Sequence, residues 1–427
     1  MEFLNIKAFD TKKLRIISIY SFQSPNIYGH STALIDKRLY FIGGYELATK
    51  DNSSFFYIDL NQSFDVSSPA YVPLEALPVG ITWATACVGG ANNVTIFVFG
   101  GINQNRTSKS QIIDKLINMF DTKSNEWSTL KNEGEPIRRR NVQAVIDNKG
   151  NMYIFGGGYL FDNYTEFFND MIIFNTITLT YSNGSTINGP PSMFGYTATL
   201  LPNGIIMYIG GRTAVSTTIS IKNITMYDVN DDSWNYTIAK SQNVIEDRSY
   251  HSAVLTIDGR IICYGGAGVK SLTFISISPS LIVLNTTSFE WRSPEYFSTN
   301  EPPKLYTHSA NLVGNYMIIG FGNVTNVNST SNITSSSIYL LDIRNYTWIS
   351  YYEASLTSPS PSPSPAPSPA PSSSPSPVLD QHKPSLSAGA IVGITISAAI
   401  VLMLLLFFGI RYCRNRSPHF YIAGSQE

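Results

Sequence analysis

The chain has 427 residues, more than one ordinary domain requires, so it holds either two such domains or one repeat-built domain with appendages. A net charge of −1 excludes the basic footprint of a nucleic-acid binder, and three cysteines (Cys87, Cys263, Cys413) exclude a disulfide framework. Only 14% of residues are charged while 12% are aromatic, with 30 Gly and 23 Pro, a mixture that favours short strands and turns over helices.

Residues 1–28 form an N-terminal segment. Its apolar stretch Ile16–Phe22 is too short and too polar for a good signal-peptide core, which points to a shortened start or an unusual leader. The same stretch, from Leu14 to Phe22, is placed to add a strand to the last repeat unit and so fasten the two ends of the array.

Residues 29–352 are a repeat. A glycine pair closes an apolar run at Gly43-Gly44, Gly100-Gly101, Gly156-Gly157, Gly210-Gly211 and Gly265-Gly266, and a degraded copy stands at Gly320-Phe321-Gly322. The copies recur every 54–57 residues, a period that with strand-rich filling indicates propeller blades. Each unit reads as four strands. The first is a short strand such as HSTALI from His30 or HSAVLT from His251, and the second is the run into the glycines. The third is FFYIDL in the first unit, and the fourth begins near Trp127, Trp234, Trp291 and Trp348, with Phe64 and Tyr181 in the Trp position of units one and three. Paired glycines permit positive φ or close approach of a neighbouring backbone, and the Trp side chains are predicted to fill the gaps between units.

These residues resemble the kelch repeat: the Gly29-His30-Ser31 first strand, the double glycine, the later Tyr and the Trp about 25 residues on. The resemblance covers six units and implies an all-β, six-bladed kelch-type β-propeller of the superfamily that includes galactose oxidase. Departures are the missing second glycine pair of unit six and the two missing Trp.

After the repeat, residues 353–384 hold the alternating run Ser358–Pro377, in which proline enforces an extended stalk open to O-glycosylation. Residues 385–410 carry no charge, and the 23 almost wholly apolar residues Ala388–Ile410 match one membrane-spanning helix. Arg411, Arg414 and Arg416 follow it, so the tail 411–427 is predicted to be cytoplasmic and everything before the span to lie outside. Thirteen N-glycosylation sequons precede the span, about twice chance, in agreement with that orientation: Asn52, Asn61, Asn93, Asn105, Asn163, Asn183, Asn223, Asn235, Asn285, Asn323, Asn328, Asn332 and Asn345. The weak leader keeps a tail-anchored, cytosol-facing scaffold as an alternative. Gly389 and Gly393 match a helix-dimerisation spacing, and Cys413 is a palmitoylation candidate.

Loops after the glycines and between units are longer than the other turns, so one face carries the long loops and is the expected binding face. Asn52, Asn105, Asn163, Asn223 and the Asn323/Asn328/Asn332 cluster lie on or beside these loops, and their glycans would shield much of that face while leaving 267–279 open.

The chemical candidates are few. The stretch Arg248-Ser249-Tyr250-His251 looks like the copper-radical oxidase segment that holds adjacent Tyr and His ligands, and Thr307-His308-Ser309 loosely resembles its second His. That resemblance implies copper on Tyr250, His251 and His308, but Cys87 and Cys263 lie outside the family's Tyr–Cys motif, and copper chemistry needs a complete ligand set. His30, His251 and His308 share one column with Ala84, Asn141 and Tyr196, read either as a three-imidazole metal site or as packed, hydrogen-bonded kelch histidines. Arg138-Arg139-Arg140 reads as an exposed inter-blade cluster, either a solvated loop or a site for an acidic ligand or sulfated glycan. No Walker loop, dinucleotide fingerprint, HExxH or nucleophile elbow is present. The sequence therefore predicts a non-catalytic, single-pass cell-surface propeller without a cofactor, binding a protein or glycan. The membrane-tethered copper oxidase is its alternative.

Overall fold

The computed structural model describes residues 22–354, apart from 113–114, 132–133, 162–163, 214–216, 271–272, 296–299 and 326–332. The chain divides into Met1–Thr357 and Ser358–Glu427, and the stalk, the span, Gly389, Gly393 and Cys413 lie outside the described residues, as do Asn163, Asn328 and Asn332. The described residues are all-β. No helix among them is long and apolar enough to cross a membrane.

Among the described residues, six antiparallel meanders of four strands follow one another along the sequence. Sheet one is Ser31–Ile35, Arg38–Ile42, Phe55–Asp59 and Tyr71–Pro73. Sheets two to six start at Gly80–Gly89, Val145–Ile146, Thr197–Leu200, Ser252–Leu255 and Ser309–Val313 and keep the same order. This is the arrangement a kelch propeller requires.

The second strands are buried almost throughout, Leu39–Ile42 and Ile261–Tyr264 for example, because each packs against a neighbouring sheet on both faces. Each of the six apolar clusters is shared between consecutive sheets. Phe97, Phe99, Ile154 and Phe174 join sheets two and three, and Phe41, Phe56, Ile318 and Leu340 join sheet six back to sheet one. Burial at about 25 cal/mol per Å² of apolar surface makes these seams the main source of stability.

The aromatic at the start of the fourth strand sits in these seams. Trp234 and Trp291 donate their indole N–H to Ser185 O (2.7 Å) and Ile221 O (3.1 Å), Trp348 packs on Tyr264, and Trp127, half-buried, packs on Phe55 and Phe120. In sheet one the position belongs to Tyr71, not Phe64. Tyr71 pairs with Ile58 as Trp127 pairs with Phe120 and Trp234 with Tyr227. The loop after Asp59 is longer than in the other sheets, which delays the fourth strand and frees Phe64–Asp65. That pair instead takes up Tyr351–Tyr352 from the end of the array, with the Phe64 and Tyr352 rings stacked at 5.0 Å.

The ends are thus joined by the last strand of the array. Of the N-terminal closing strand expected at Leu14–Phe22, only Phe22 is described, and it packs on Phe56 and Tyr71 of sheet one.

Candidate functional site

The six first strands surround an axis, and one residue at or near the start of each contributes to a ring. Gly29, Trp83, Asn141, Gly195, Tyr250 and Thr307 all have φ between 56° and 63°. Each donates its backbone N–H to the carbonyl of the equivalent residue in the preceding sheet, from Trp83→Gly29 at 2.7 Å round to Gly29→Thr307 at 3.2 Å. A second ring lies beside it. The second glycine of each pair donates to the next sheet: Gly44→Ile81, Gly101→Arg139, Gly157→Met193, Gly211→Arg248, Gly266→Leu305 and Gly322→Ile27, at 2.8–3.0 Å. This explains the glycine pairs. A Cβ on Gly43 would stand 2.0 Å from Ile81 O, and one on Gly266 would stand 2.8 Å from His251 Cβ.

One residue further along, side chains link the first strands through the lining of a central cavity of about 200 Å³. The Ser31 hydroxyl donates to Ala84 O (2.9 Å), Ala144 N–H to the Thr85 hydroxyl (2.9 Å) and Ala198 N–H to Gln143 Oε1 (3.1 Å). The other three joints use imidazoles: His251 with Thr197 (3.1 Å), His308 with Ser252 (2.8 Å) and His30 with Ser309 (2.9 Å). The column is His30, Ala84, Val142, Tyr196, His251 and His308. Asn141 belongs to the ring before it, because the third unit's first strand enters one residue later than the sequence match suggests.

The residues nominated for copper do not form a ligand set. The Nε2 atoms of His251 and His308 are turned to Thr197 and Ser252, and their rings press on Gly210 and Gly265 in two different seams. Tyr250 points instead into the mouth of the ring, against Trp83 and Phe274. Cys87 and Cys263 are buried free thiols, both pushed up to about 12 by burial. Among the described residues no group of three or more His, Cys, Asp or Glu stands close enough to hold a metal ion.

Of the arginine run, only Arg140 stays partly exposed. Arg138 and Arg139 are only 5% and 2% exposed. Arg138 donates to Gly100 O (2.7 Å), and Arg139 pairs with Asp170 (2.6 Å) and reaches Gly156 O (3.2 Å). Arg248 does the same for Gly265 O (3.2 Å). Positive φ at the glycines turns these carbonyls out of the ladder, and buried guanidinium groups satisfy them. Two sequons are also displaced from the surface: Asn52 and Asn323 are 2% and 4% exposed, so neither offers its amide to a glycan on the long-loop face.

Of the residues that gather at the mouth, the sequence singled out Arg140 and Tyr250 but not Trp83, Phe194, Arg212 or Phe274. Trp83 and Tyr250 come from the amide ring, Arg140 and Phe194 from the residues just before it, Arg212 from the position after Gly210-Gly211, and Phe274 from the hairpin Gly268–Lys270/Thr273–Ile275. Gly29 and Gly195 leave room for the rings: a Cβ there would stand 3.0 Å from Trp83 and Tyr250. The Trp83 and Tyr250 centroids lie 6.0 Å apart, and Phe274 meets Tyr250 edge-on at 5.6 Å.

Arg212 lies over the faces of Phe194 (5.7 Å) and Phe274 (5.5 Å). It is 6% exposed, and its Nε has no hydrogen-bond partner. Among the described residues neither Arg140 nor Arg212 has a carboxylate within ion-pair distance, although Arg139, Arg260 and Arg344 do. Burial lowers the Arg140 pKa, against a smaller opposing effect of Tyr250. Burial raises that of Tyr250, against the neighbouring Arg212 and Arg140. The mouth is an aromatic depression with uncompensated positive charge, suited to an acidic group on a ligand.

Residues 29–266 match the family model described as the KLHDC2/KLHL20/DRC7 Kelch-repeats domain. The chain is 28% identical over 203 residues to Kelch domain-containing protein 3 of Bos taurus, covering 44% of this chain and 48% of that one. It is 21% identical over 329 residues to Kelch domain-containing protein 10 of Rattus norvegicus, covering 73% and 74%. It thus spans about half the length of the first of these curated relatives. A solved structure titled "Structure of YjhT" superposes with a TM-score of 0.58 at 14% identity, covering 77% of this chain and 98% of that one, a likeness of fold.

Proposed function

The chain belongs to the kelch-repeat family, and from that premise we propose that it is a non-catalytic, six-bladed propeller without a cofactor that binds a partner protein at the mouth. Kelch domains generally mediate protein–protein interaction. The observation that carries the site is Arg212, a guanidinium held almost out of water with its Nε unpartnered and no acid beside it. Such a group is costly unless a ligand completes it. An acidic side chain flanked by apolar residues would pair with Arg212 and Arg140 while covering Trp83 and Phe274. A glycan without an acidic group would leave the two guanidinium groups as they are.

The reading includes the topology drawn from hydropathy and charge: a propeller on the outer side of a membrane, followed by the Ser358–Pro377 stalk, the span Ala388–Ile410 and an inward tail. Intact cells displaying the full chain, probed with arrays of acidic peptides, neutral peptides and acidic oligosaccharides, test both parts. Acidic peptides should bind, and Arg212→Ala should weaken them by about 10-fold or more, the size of a lost charge-assisted contact, without lowering Tm. Binding confined to oligosaccharides would replace the protein partner with a glycan. Binding indifferent to Arg212→Ala would remove the mouth as the site.

A further inference from the structure

Burial in the fold sorts the glycosylation sequons. Turns between first and second strands, and between third and fourth, emerge opposite the mouth. Four sequons stand at them with exposed asparagines: Asn93 before the second strand of sheet two, Asn61 and Asn345 after the third strands of sheets one and six, and Asn285 as the last residue of the third strand of sheet five. At Asn285 and Asn345 the side-chain carbonyl accepts the N–H of the sequon's own hydroxyl residue, Thr287 at 2.9 Å and Thr347 at 3.1 Å. That turn uses the amide oxygen and leaves Nδ2 outward.

Asn52 and Asn323, on the mouth side, are closed. The Asn52 amide lies where Gly80 approaches: a Cβ on Gly80 would stand 1.7 Å from Asn52 Oδ1 and 2.8 Å from its Nδ2. Asn323 is buried beneath Thr334, whose hydroxyl donates to its Oδ1 at 3.1 Å.

We propose that N-linked glycans occupy Asn61, Asn93, Asn285 and Asn345, on the face opposite the mouth, and are absent from Asn52 and Asn323, while the exposed Asn105 and Asn223 on the mouth side stay open to transfer. In the transfer, the asparagine Nδ2 attacks the anomeric carbon of an oligosaccharide carried on a polyprenyl diphosphate. A C–N bond forms, the C–O bond to the diphosphate breaks, the lipid diphosphate leaves, and the amide nitrogen gives one proton to the transferase. Transfer precedes folding. A chain modified at Asn52 cannot bring Gly80 into place and drops out of the folded pool, whereas the four turns accept a glycan at no cost in packing.

The assignment rests on the outward topology proposed above, and the test separates the two. Full-length protein is recovered from the surface of eukaryotic cells, treated with peptide N-glycosidase in ¹⁸O water, and each sequon is read by mass spectrometry. The expected pattern is ¹⁸O-aspartate at the four turns and none at Asn52 or Asn323. The variant Asn61→Gln/Asn93→Gln/Asn285→Gln/Asn345→Gln should lose the corresponding steps of electrophoretic shift. Label at Asn52 or Asn323 in folded protein, or empty turns beside other labelled sequons, overturns it. If the native chain carries no label anywhere, the full chain is given a cleavable secretory leader. The expected pattern then upholds the assignment and removes only the topology, and an unlabelled chain removes the assignment.

Discussion

The inner ring has two halves that solve one problem with different chemistry. From sheet one to sheet four, adjacent first strands are linked by Ser31, Thr85 and Gln143, each bonded to a backbone group. From sheet four round to sheet one, the links are imidazole to hydroxyl at His251, His308 and His30. The first strands diverge around the axis, so no backbone ladder crosses between them, and a side chain must reach over in every seam. Where a small residue fills the column (Ala84, Val142), a backbone group lies close enough for direct contact. Where a histidine fills it, the ring does the reaching. The halves have equal geometry and unequal sensitivity to protons.

Acid is the largest lever on that difference. Burial holds His30 and His308 down at about 3, and His251 well below its usual value. These folded values lie under the unfolded value of about 6.5, so between pH 6.5 and 3 the unfolded chain binds protons that the folded chain refuses. Stability is therefore complete above about pH 6.5 and falls with pH, by about 1.4 kcal/mol per unit for each imidazole and roughly 4 kcal/mol per unit for the three. Denaturant titrations at pH 7.0, 6.0 and 5.0 measure this. A flat profile would show that the imidazole half is not closed to protons.

Substitution of the glycines should ignore the difference. A Cβ on Gly43 meets Ile81 O at 2.0 Å in the hydroxyl half, and one on Gly265 meets Leu305 O at 2.3 Å in the imidazole half, both at positive φ. Gly43→Ala and Gly265→Ala should each cost more than about 2 kcal/mol, strain and collision together. A wild-type melting temperature for either variant would disprove the close approach.

Single links come next. His251→Ala leaves the Thr197 hydroxyl unpaired and should cost about 1–3 kcal/mol, while also flattening the acid profile by one third. Ser31→Ala should cost about 1 kcal/mol and leave the acid profile unchanged. Equal acid profiles for the two variants would break the comparison. The smallest effect is favourable: Thr307, a β-branched residue at φ 57°, stands where Gly29 and Gly195 stand in other sheets. Thr307→Gly should gain up to about 1 kcal/mol in thermal unfolding.

Much of this was legible in the sequence, because whatever repeats announces itself. The glycine pairs, the second and third strands and Trp234, Trp291 and Trp348 recur, and the kelch resemblance rests on them. The closure at Phe64–Asp65 was not legible, since it joins residues almost 290 apart and happens once. Tyr71 was hidden by the long loop after Asp59. Arg212 was missed for the opposite reason. It occupies a repeating position whose other residues are Tyr45, Ile102, Gly158, Ala267 and Asn323, so no motif contains it. The available signal was the exception itself, a lone cation in a neutral column.

The two amide rings have a consequence for the electric field at the mouth. The ring through Gly29, Trp83 and Tyr250 passes its hydrogen bonds from each sheet to the one before, and the glycine ring passes them to the one after, so the two circulate in opposite senses. Peptide dipoles laid head to tail along a helix add up to a pole at each end. Laid around a closed circle, their tangential components sum to zero, and there is no first N–H or last C=O to act as a terminus. Twelve aligned amides therefore surround the opening without giving it a sign of their own. Attraction or repulsion of a ligand there is left to Arg140 and Arg212.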